Sequence, residues 1–198
     1  MIAALTFVLV GPAAVAQRPA VPRPPEPKSH DVAALVRSVQ GGRRADFAAL
    51  YVAFHRAVHA VLLARVAAQD AGDLVQDVFA HALEKIGDLE EPAAFPGWLL
   101  TMARHRAIDH VRRARLTTEE TEAAVDPPPR VEAREALRAI RALPEAYRET
   151  MIMRLVEGMT GPEIAERAGL SPDSVRVNLH RGMKLLRAQL GGESEETP

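Results

Sequence analysis

Apolar residues recur at spacings of three and four along most of the chain, which is the period of an α-helix that buries one face. Four such stripes fall at positions 32–39, 47–61, 75–86 and 100–114, and no segment alternates in the manner of a strand. Aromatic residues make up only 4% of the chain, which further disfavours strands. The sequence therefore predicts an all-α fold, and four linked amphipathic helices of this kind can bury a common core.

A second helical stretch follows a segment that lacks this pattern. Residues 117–130 are acidic and contain three consecutive prolines, which predicts a flexible linker. After it we predict four more helices, at Val131–Leu143, Glu145–Glu157, Gly161–Arg167 and Pro172–Leu190. The prediction is therefore two small helical domains, at 29–116 and 131–190, joined by that linker and followed by a polar tail at 191–198.

The first 28 residues do not fit either domain. Residues 1–16 have a short apolar stretch and an A-x-A ending, as in a secretory signal peptide, but no basic residue precedes the stretch and Gly11-Pro12 interrupts it. Residues 17–28 are rich in proline and predict an extended, unpacked segment. We expect an appended or over-extended start, with translation beginning lower, for example at the codon of Val21 or Val32.

Several classes of site are excluded by composition. The chain has no cysteine, so it can form neither a disulfide nor a thiolate metal site. His55 and His59 have a chelating spacing of four, but no third ligand is evident, and we predict no metal site and no cofactor. No apolar run approaches the roughly 20 residues that a membrane span needs, so stable membrane insertion is not expected.

Charge is segregated along the chain although the formal net charge is only −1. Five arginines oppose Asp109 between residues 103 and 116, and four basic residues oppose Asp173 between 171 and 190, whereas residues 117–135 have an acidic excess. Phosphate groups respond to such local basic patches more than to net charge. Two separate nucleic-acid contacts are therefore predicted, one in each domain.

The last two predicted helices have the signals of a helix-turn-helix. Thr160 and Glu163 have the spacing of a capping box at the start of the first helix. Gly169 stands where a tight turn needs a positive φ, and Ser171-Pro172 supplies a cap and a first-turn proline for the second helix. This short helix, tight turn and longer helix is the arrangement that places a recognition helix in the DNA major groove.

The outward side of the second helix suits DNA. Val175, Leu179 and Met183 are predicted to face inward, at helical spacing. The residues left outside offer forked hydrogen bonds to bases and donors to phosphates. The predicted contacts of this helix are Ser171, Asp173, Ser174, Arg176, Val177, Asn178, His180, Arg181 and Lys184.

The basic patch of the first domain predicts a second strip on its fourth helix. His105, Arg112 and their neighbours lie opposite the apolar side and can hold a sugar–phosphate backbone. The predicted strip comprises Arg104, His105, Arg106, His110, Arg112, Arg113 and Arg115. Asp109 has spacings of three and four to Arg112 and Arg113, and we predict that it orients one of them instead of contacting DNA.

Three segments resemble those of extracytoplasmic-function (ECF) RNA polymerase sigma factors, which are small members of the sigma-70 family. DAGDLVQDVFAHALEKI resembles their polymerase-docking helix, FPGWLLTMARHRAIDHVRRAR their −10-element segment, and residues 143–190 their −35-binding domain. The resemblance covers residues 30–190 and implies a sigma region 2 domain followed by a sigma region 4 helix-turn-helix domain. It implies a cytoplasmic protein that is not an enzyme and that directs promoter recognition, strand opening and transcription initiation.

The resemblance also implies partners. The docking helix would meet the clamp helices of the largest subunit of core RNA polymerase through Asp73, Leu74, Gln76, Asp77 and Phe79. The two basic surfaces would meet promoter DNA, and an anti-sigma factor is expected. The loop from Gly87 to Pro96 resembles the family's base-capturing loop, while Trp98 is predicted to belong to the core.

Two other functions remain open from the sequence. The chain can be a ligand-responsive or dimeric helix-turn-helix regulator that acts without polymerase, which would leave the basic fourth helix unexplained. Alternatively, it can be an exported helical protein whose leader is cleaved after Ala16, which would leave both basic surfaces unexplained. Association with core polymerase separates both from a sigma factor.

Overall fold

The computed structural model describes residues 29–117 and 131–192, with side chains for 32–114 and 133–190. The predicted linker at 117–130 apart from Thr117, the leader at 1–28 and most of the tail lie outside these residues. Within the described ranges every regular element is helical. The eight α-helices of these described residues are α1 Ser29–Gln40, α2 Phe47–Leu63, α3 Ala68–Lys85, α4 Phe95–Thr117, α5 Val131–Ala142, α6 Glu145–Leu155, α7 Gly161–Ala168 and α8 Pro172–Gly192.

Helices α1 to α4 form the first unit, with α2 at its centre. This helix packs against α1, α3 and α4, and its side chains Leu50, Phe54 and Val58 are fully buried. Phe54 meets Phe95 of α4 edge to face, with ring centroids 5.3 Å apart. The segment Arg44–Leu63, which includes α2, is long and apolar enough to cross a membrane by length and composition alone, but more than half of it is buried inside the protein, as expected of a core helix.

Helices α5 to α8 form the second unit, in which α6 crosses α8 closely. Met151 and Ile152 of α6 are fully buried. A Cβ atom added to Gly182 of α8 would lie 2.8 Å from Cγ and Sδ of Met151. Glycine at this position therefore allows the two helices to approach, which explains its presence in the interior of a helix despite its unfavourable propensity.

The two units pack directly against each other, which the sequence did not predict. Helices α6 and α7 of the second unit contact α2 and α4 of the first. Arg141 of α5 donates hydrogen bonds to the backbone oxygens of Leu63, the last residue of α2, and of Val66, at 2.7 and 2.5 Å. The described residues thus form one packed body with two internal units.

Candidate nucleic-acid and polymerase interfaces

Local capping positions the turn between α7 and α8 as the sequence predicted. Thr160 and Glu163 form a reciprocal capping box at the start of α7. Gly169 has φ +66°, and the backbone N–H of Ser174 donates to Oγ of Ser171 at 3.1 Å at the start of α8. These contacts hold α7 and α8 as a helix-turn-helix.

The outer side of α8 is open to solvent. All of the predicted contacts on this helix are exposed except Asn178, which is half-buried. Arg176 lies 3.2 Å from Asp173, both well exposed. An exposed ion pair of this kind contributes little to stability, so it does not commit Arg176 to Asp173.

Two arginines that the sequence prediction did not include extend this surface. Arg154 of α6 and Arg187 of α8 line a shallow open cavity of about 480 Å³ together with His180 and Lys184. Arg187 belonged to the basic patch visible in the sequence, but Arg154 is contributed by another helix and only the fold brings it here. The cavity concentrates basic groups beside the predicted recognition face.

The exposed part of the predicted strip on α4 consists of three residues. His105, Arg112 and Arg113 are exposed, and the side chain of Arg115 lies outside the described part. Asp109 lies 3.3 Å from Arg112, which confirms the predicted pairing at a spacing of three. A basic surface at the end of α4 is therefore accessible to a nucleic acid.

The remaining strip residues are half-buried, and two of them contact other parts of the protein. Nε2 of His110 lies 3.1 Å from Oδ2 of Asp70 on α3. Nε and Nη2 of Arg104 donate to the two carboxylate oxygens of Glu149 on α6, at 2.9 and 2.8 Å. Arg104 therefore bonds to the second unit and is only partly exposed, which a sequence pattern cannot reveal.

Glu149 is held by two arginines of the first unit. Arg65 also contacts its carboxylate, at 2.7 Å, and contacts Glu145 at 2.8 Å. Burial alone would raise the pKa of Glu149, but the hydrogen bonds and charges of Arg104 and Arg65 outweigh it and lower the pKa. The hydrogen bond to Glu149 likewise raises the pKa of Arg104 against the effect of burial. Both groups are held in their charged forms.

The predicted docking face on α3 divides into an exposed and a buried part. Asp73, Gln76 and Asp77 are exposed, whereas Leu74 and Phe79 are only 8% and 4% exposed. Leu74 and Phe79 therefore belong to the core of the first unit, because the apolar side of α3 faces α2. The accessible part of this face is acidic and polar.

The loop between α3 and α4 is held by a hydrogen-bonded contact that the sequence did not predict. Nε2 of Gln40, at the end of α1, donates to the backbone oxygens of Ile86 and Leu89, at 2.9 and 2.8 Å. The ring of Trp98 lies 5.8 Å from that of Phe95 and packs partly on the core, as predicted. The side-chain amide of Gln40 therefore holds the loop between α3 and α4, although more than 40 residues separate Gln40 from that loop in sequence.

The histidines at 55 and 59 do not converge on a common site. Nδ1 of His59 lies 2.6 Å from Oε1 of Glu157, whereas Nδ1 of His55 lies 3.0 Å from the backbone oxygen of Val52. Among the described residues no group of three or more potential metal ligands is found. His59 instead joins α2 to the second unit.

The chain matches two protein families in the order of its two units. Residues 50–117 match the family described as Sigma-70 region 2, and residues 133–186 match Sigma-70, region 4. The RNA polymerase sigma factor CarQ of Myxococcus xanthus is 33% identical over 130 residues, which cover 61% of this chain and 75% of that protein. The ECF RNA polymerase sigma factor SigF of Caulobacter vibrioides is 32% identical, with 61% and 71% covered.

A solved structure has the same fold. The structure of CnrH in complex with the cytosolic domain of CnrY has a TM-score of 0.56 at 24% identity, and the alignment covers 81% of this chain and 97% of that one. The fold and the two family matches define a sigma-70 family transcription initiation factor. Within that family the chain belongs to the extracytoplasmic-function RNA polymerase sigma factors.

Proposed function

We propose that the exposed acidic side of α3 docks the protein on core RNA polymerase. Asp73, Gln76 and Asp77 are available to a basic partner helix, and the family resemblance points to the clamp helices of the largest subunit. Tyr51 lies beside α3, because it lines a pocket together with Gly72 and Val75 of that helix while 39% of the residue remains exposed. An aromatic group beside polar groups is a common anchor in protein interfaces.

The outer side of α8 reads the −35 element as duplex DNA. Arg176 supplies a forked pair of donors for base edges, and Asn178 supplies one donor and one acceptor. Lys184 and His180 bind phosphates. Arg154 and Arg187 add to the phosphate grip from the adjoining cavity. Phosphate contacts of this kind make the binding sensitive to salt.

The exposed end of α4 holds the −10 element during strand opening. His105, Arg112 and Arg113 offer phosphate contacts and stacking surfaces for unpaired bases. Removing a base from the stack costs a few kcal/mol, which these contacts must offset. The protein thereby acts as a cytoplasmic initiation factor and carries out no catalysis of its own.

The observation that carries this proposal is the exposure of two separate basic surfaces and one acidic surface on a single chain. The decisive experiment mixes the purified protein with core RNA polymerase and a promoter library and sequences the transcripts. Specific initiation that depends on the protein is expected. Tight operator binding without any association with polymerase would instead indicate a conventional helix-turn-helix regulator.

An anti-sigma factor is the expected regulator of this activity. The solved relative CnrH is held by the cytosolic domain of a partner protein, CnrY. The test is co-purification of the native protein from its host in the absence of inducing stress, followed by mass spectrometry. Recovery of a stoichiometric partner that blocks initiation in the promoter assay is expected.

A further inference from the structure

A pair of arginines on the first unit forms an anion site whose occupant in this structure is a carboxylate of the second unit. Arg65 follows α2 and Arg104 lies on α4, yet both donate to Glu149 of α6. Oε1 of Glu149 is contacted by Nη1 of Arg65 and Nε of Arg104, and Oε2 by Nη2 of Arg104. Two guanidinium groups that converge on one oxyanion also match the geometry of a phosphodiester.

We propose that Arg65 and Arg104 form a binding site for a DNA backbone phosphate, which Glu149 occupies when the two units are packed together. This inference rests on the proposed function, because Arg104 lies on the same helix as the basic strip. Arg65 is distant from the basic strip in sequence, and the proposal adds it to the DNA contacts of the first unit. Glu149 thus competes with the nucleic acid, and the packed form cannot use this site.

The dimensions of a promoter require the packed form to open. The positions −10 and −35 that name the two elements differ by about 25 base pairs, which at about 3.4 Å per base pair is about 85 Å of B-form DNA. A compact body of this chain length is only about 40 Å across. Residues 118–130 can span at most about 45 Å when fully extended, which is sufficient to let the units separate. Separation of the two units exposes Arg65 and Arg104, so both arginines become available when the first unit binds DNA.

The ion pairs have the properties of a reversible contact. The side chain of Arg104 remains 35% exposed, and those of Arg65 and Glu149 are 14% and 16% exposed. The Arg104 member of this cluster is partly solvated, so its ion pair with Glu149 is weakened by salt and can be displaced by a competing anion. The proposal therefore predicts that closure of the two units and DNA binding by the first unit oppose each other.

Two substitutions separate this competition from a purely structural ion pair. Glu149→Gln removes the competing charge but keeps the arginines, so it should raise the fraction of open molecules and tighten DNA binding. Arg104→Ala removes the arginine partner of Glu149, so it should also raise the fraction of open molecules. It should weaken DNA binding, because the same arginine is lost from the phosphate site. Glu135→Gln is the matched control, because Glu135 is exposed on α5 and the substitution changes the same charge.

Closure is measured by energy transfer between dyes on engineered cysteines. The chain has no native cysteine, so Glu90→Cys and Gln189→Cys, both at exposed positions, label one unit each without background. Transfer should be high in the wild type and in Glu135→Gln, and lower in Glu149→Gln and Arg104→Ala. Circular dichroism confirms that each variant is folded, and Arg65→Gln provides a further way to loosen the contact.

DNA binding is measured by anisotropy with a fluorescent 25-nucleotide single strand. Glu149→Gln should bind at least about threefold more tightly than the wild type, since a larger fraction of the molecules presents the site. Arg65→Gln and Arg104→Ala should each reduce the slope of log affinity against log salt by about 0.7. Opening without tighter binding in Glu149→Gln, or unchanged energy transfer, would overturn the proposal.

A separate arm distinguishes this proposal from the proposed function. The wild-type protein is assayed in parallel for polymerase-dependent initiation. Failure of initiation would refute the sigma-factor assignment of the surfaces, while the energy-transfer and anisotropy results still report on the competition. Normal initiation with unchanged closure in Glu149→Gln would refute only the competition.

Discussion

The guanidinium carbon of Arg167 lies 5.0 Å from the ring centroid of Phe54, and both side chains are almost completely buried. Arg167 belongs to α7, the first helix of the helix-turn-helix, whereas Phe54 lies at the centre of the first unit. A cation over an aromatic face is more stabilising when water is excluded. This contact therefore anchors the second unit on the core of the first.

Replacement of Arg167 by alanine should destabilise the protein by about 2–4 kcal/mol, because it removes a buried side chain and its contact with an aromatic ring. Urea unfolding provides the measurement. Arg167→Met keeps most of the apolar volume and should retain part of the stability. Arg138→Ala, at an exposed position on α5, is the control and should change stability by less than about 0.5 kcal/mol. An unchanged urea midpoint for Arg167→Ala would show that the contact contributes nothing.

The glycines at 72 and 182 both lie inside helices but should respond in opposite ways to alanine. A Cβ atom at Gly72 meets nothing within 4 Å, so alanine should stabilise α3 by about 0.5–1 kcal/mol. A Cβ atom at Gly182 overlaps Met151, and the cost of overpacking, about 1–3 kcal/mol, exceeds the gain in helix propensity.

Thermal unfolding of both variants checks this pair of predictions. Gly72→Ala should raise the midpoint and Gly182→Ala should lower it. In a Met151→Ala background, Gly182→Ala should no longer be destabilising, since the overlapping atoms have been removed. Stabilisation by Gly182→Ala in the wild-type background would mean that α6 and α8 adjust without cost.

The helix-turn-helix was predictable because its signals are local. The capping box of Thr160 and Glu163, the left-handed Gly169 and the cap at Ser171 each act within a few residues. The stripes of apolar residues likewise predicted every helix of the core, because helical periodicity follows directly from burial of one face.

The packing of the two units was not predictable because it depends on residues that a sequence pattern assigns to solvent. An arginine such as Arg167 is normally exposed, yet here it is 1% exposed. Arg104 was predicted to face DNA, and only the fold brings Glu149 to it. Leu74 and Phe79 were predicted to contact polymerase, but the choice between core and interface for an apolar residue requires the positions of its neighbours.

The contribution of Glu149 to stability should disappear at acidic pH. Burial raises the pKa of Glu149, but Arg104 and Arg65 outweigh burial and lower the pKa below the ordinary value of 4.5. Glu145 is the other acid nearby, and it also contacts Arg65. A lowered pKa means that the stabilisation is fully present above the unfolded value and is lost as the pH falls through the folded one.

Denaturant unfolding of the wild type and Glu149→Gln between pH 7 and pH 3 measures this effect. The difference in the free energy of unfolding should be constant down to about pH 5 and should shrink below about 4.5. Glu135→Gln should show no such change, because Glu135 has an exposed position. If the difference in unfolding free energy between the wild type and Glu149→Gln is unchanged at pH 3, the effect of the substitution comes from packing and not from charge.

Reversal of charge at Asp77 should weaken association with core RNA polymerase by tenfold or more. Asp77 is exposed on α3, so Asp77→Arg should leave the fold intact while it repels a basic partner surface. Competition for core polymerase against the labelled wild type provides the measurement. Glu90→Arg makes the same charge change on an exposed part of the loop before α4 and should compete normally. Equal competition by both variants would remove this side of α3 from the interface.

Substitutions on α8 should separate base recognition from phosphate binding. Arg176→Ala should reduce the affinity for the preferred promoter by about 1–3 kcal/mol and relax its sequence preference, because a forked donor to a base edge is lost. Lys184→Ala should weaken binding to all duplexes alike and reduce the salt slope by about 1. Filter binding of the preferred duplex and a scrambled duplex at several salt concentrations distinguishes the two effects. Arg138→Ala, at an exposed position on α5, is the control and should leave both the salt slope and the sequence preference unchanged. Loss of polymerase association in either α8 variant would contradict the separation of the DNA-binding surface on α8 from the polymerase-binding surface on α3.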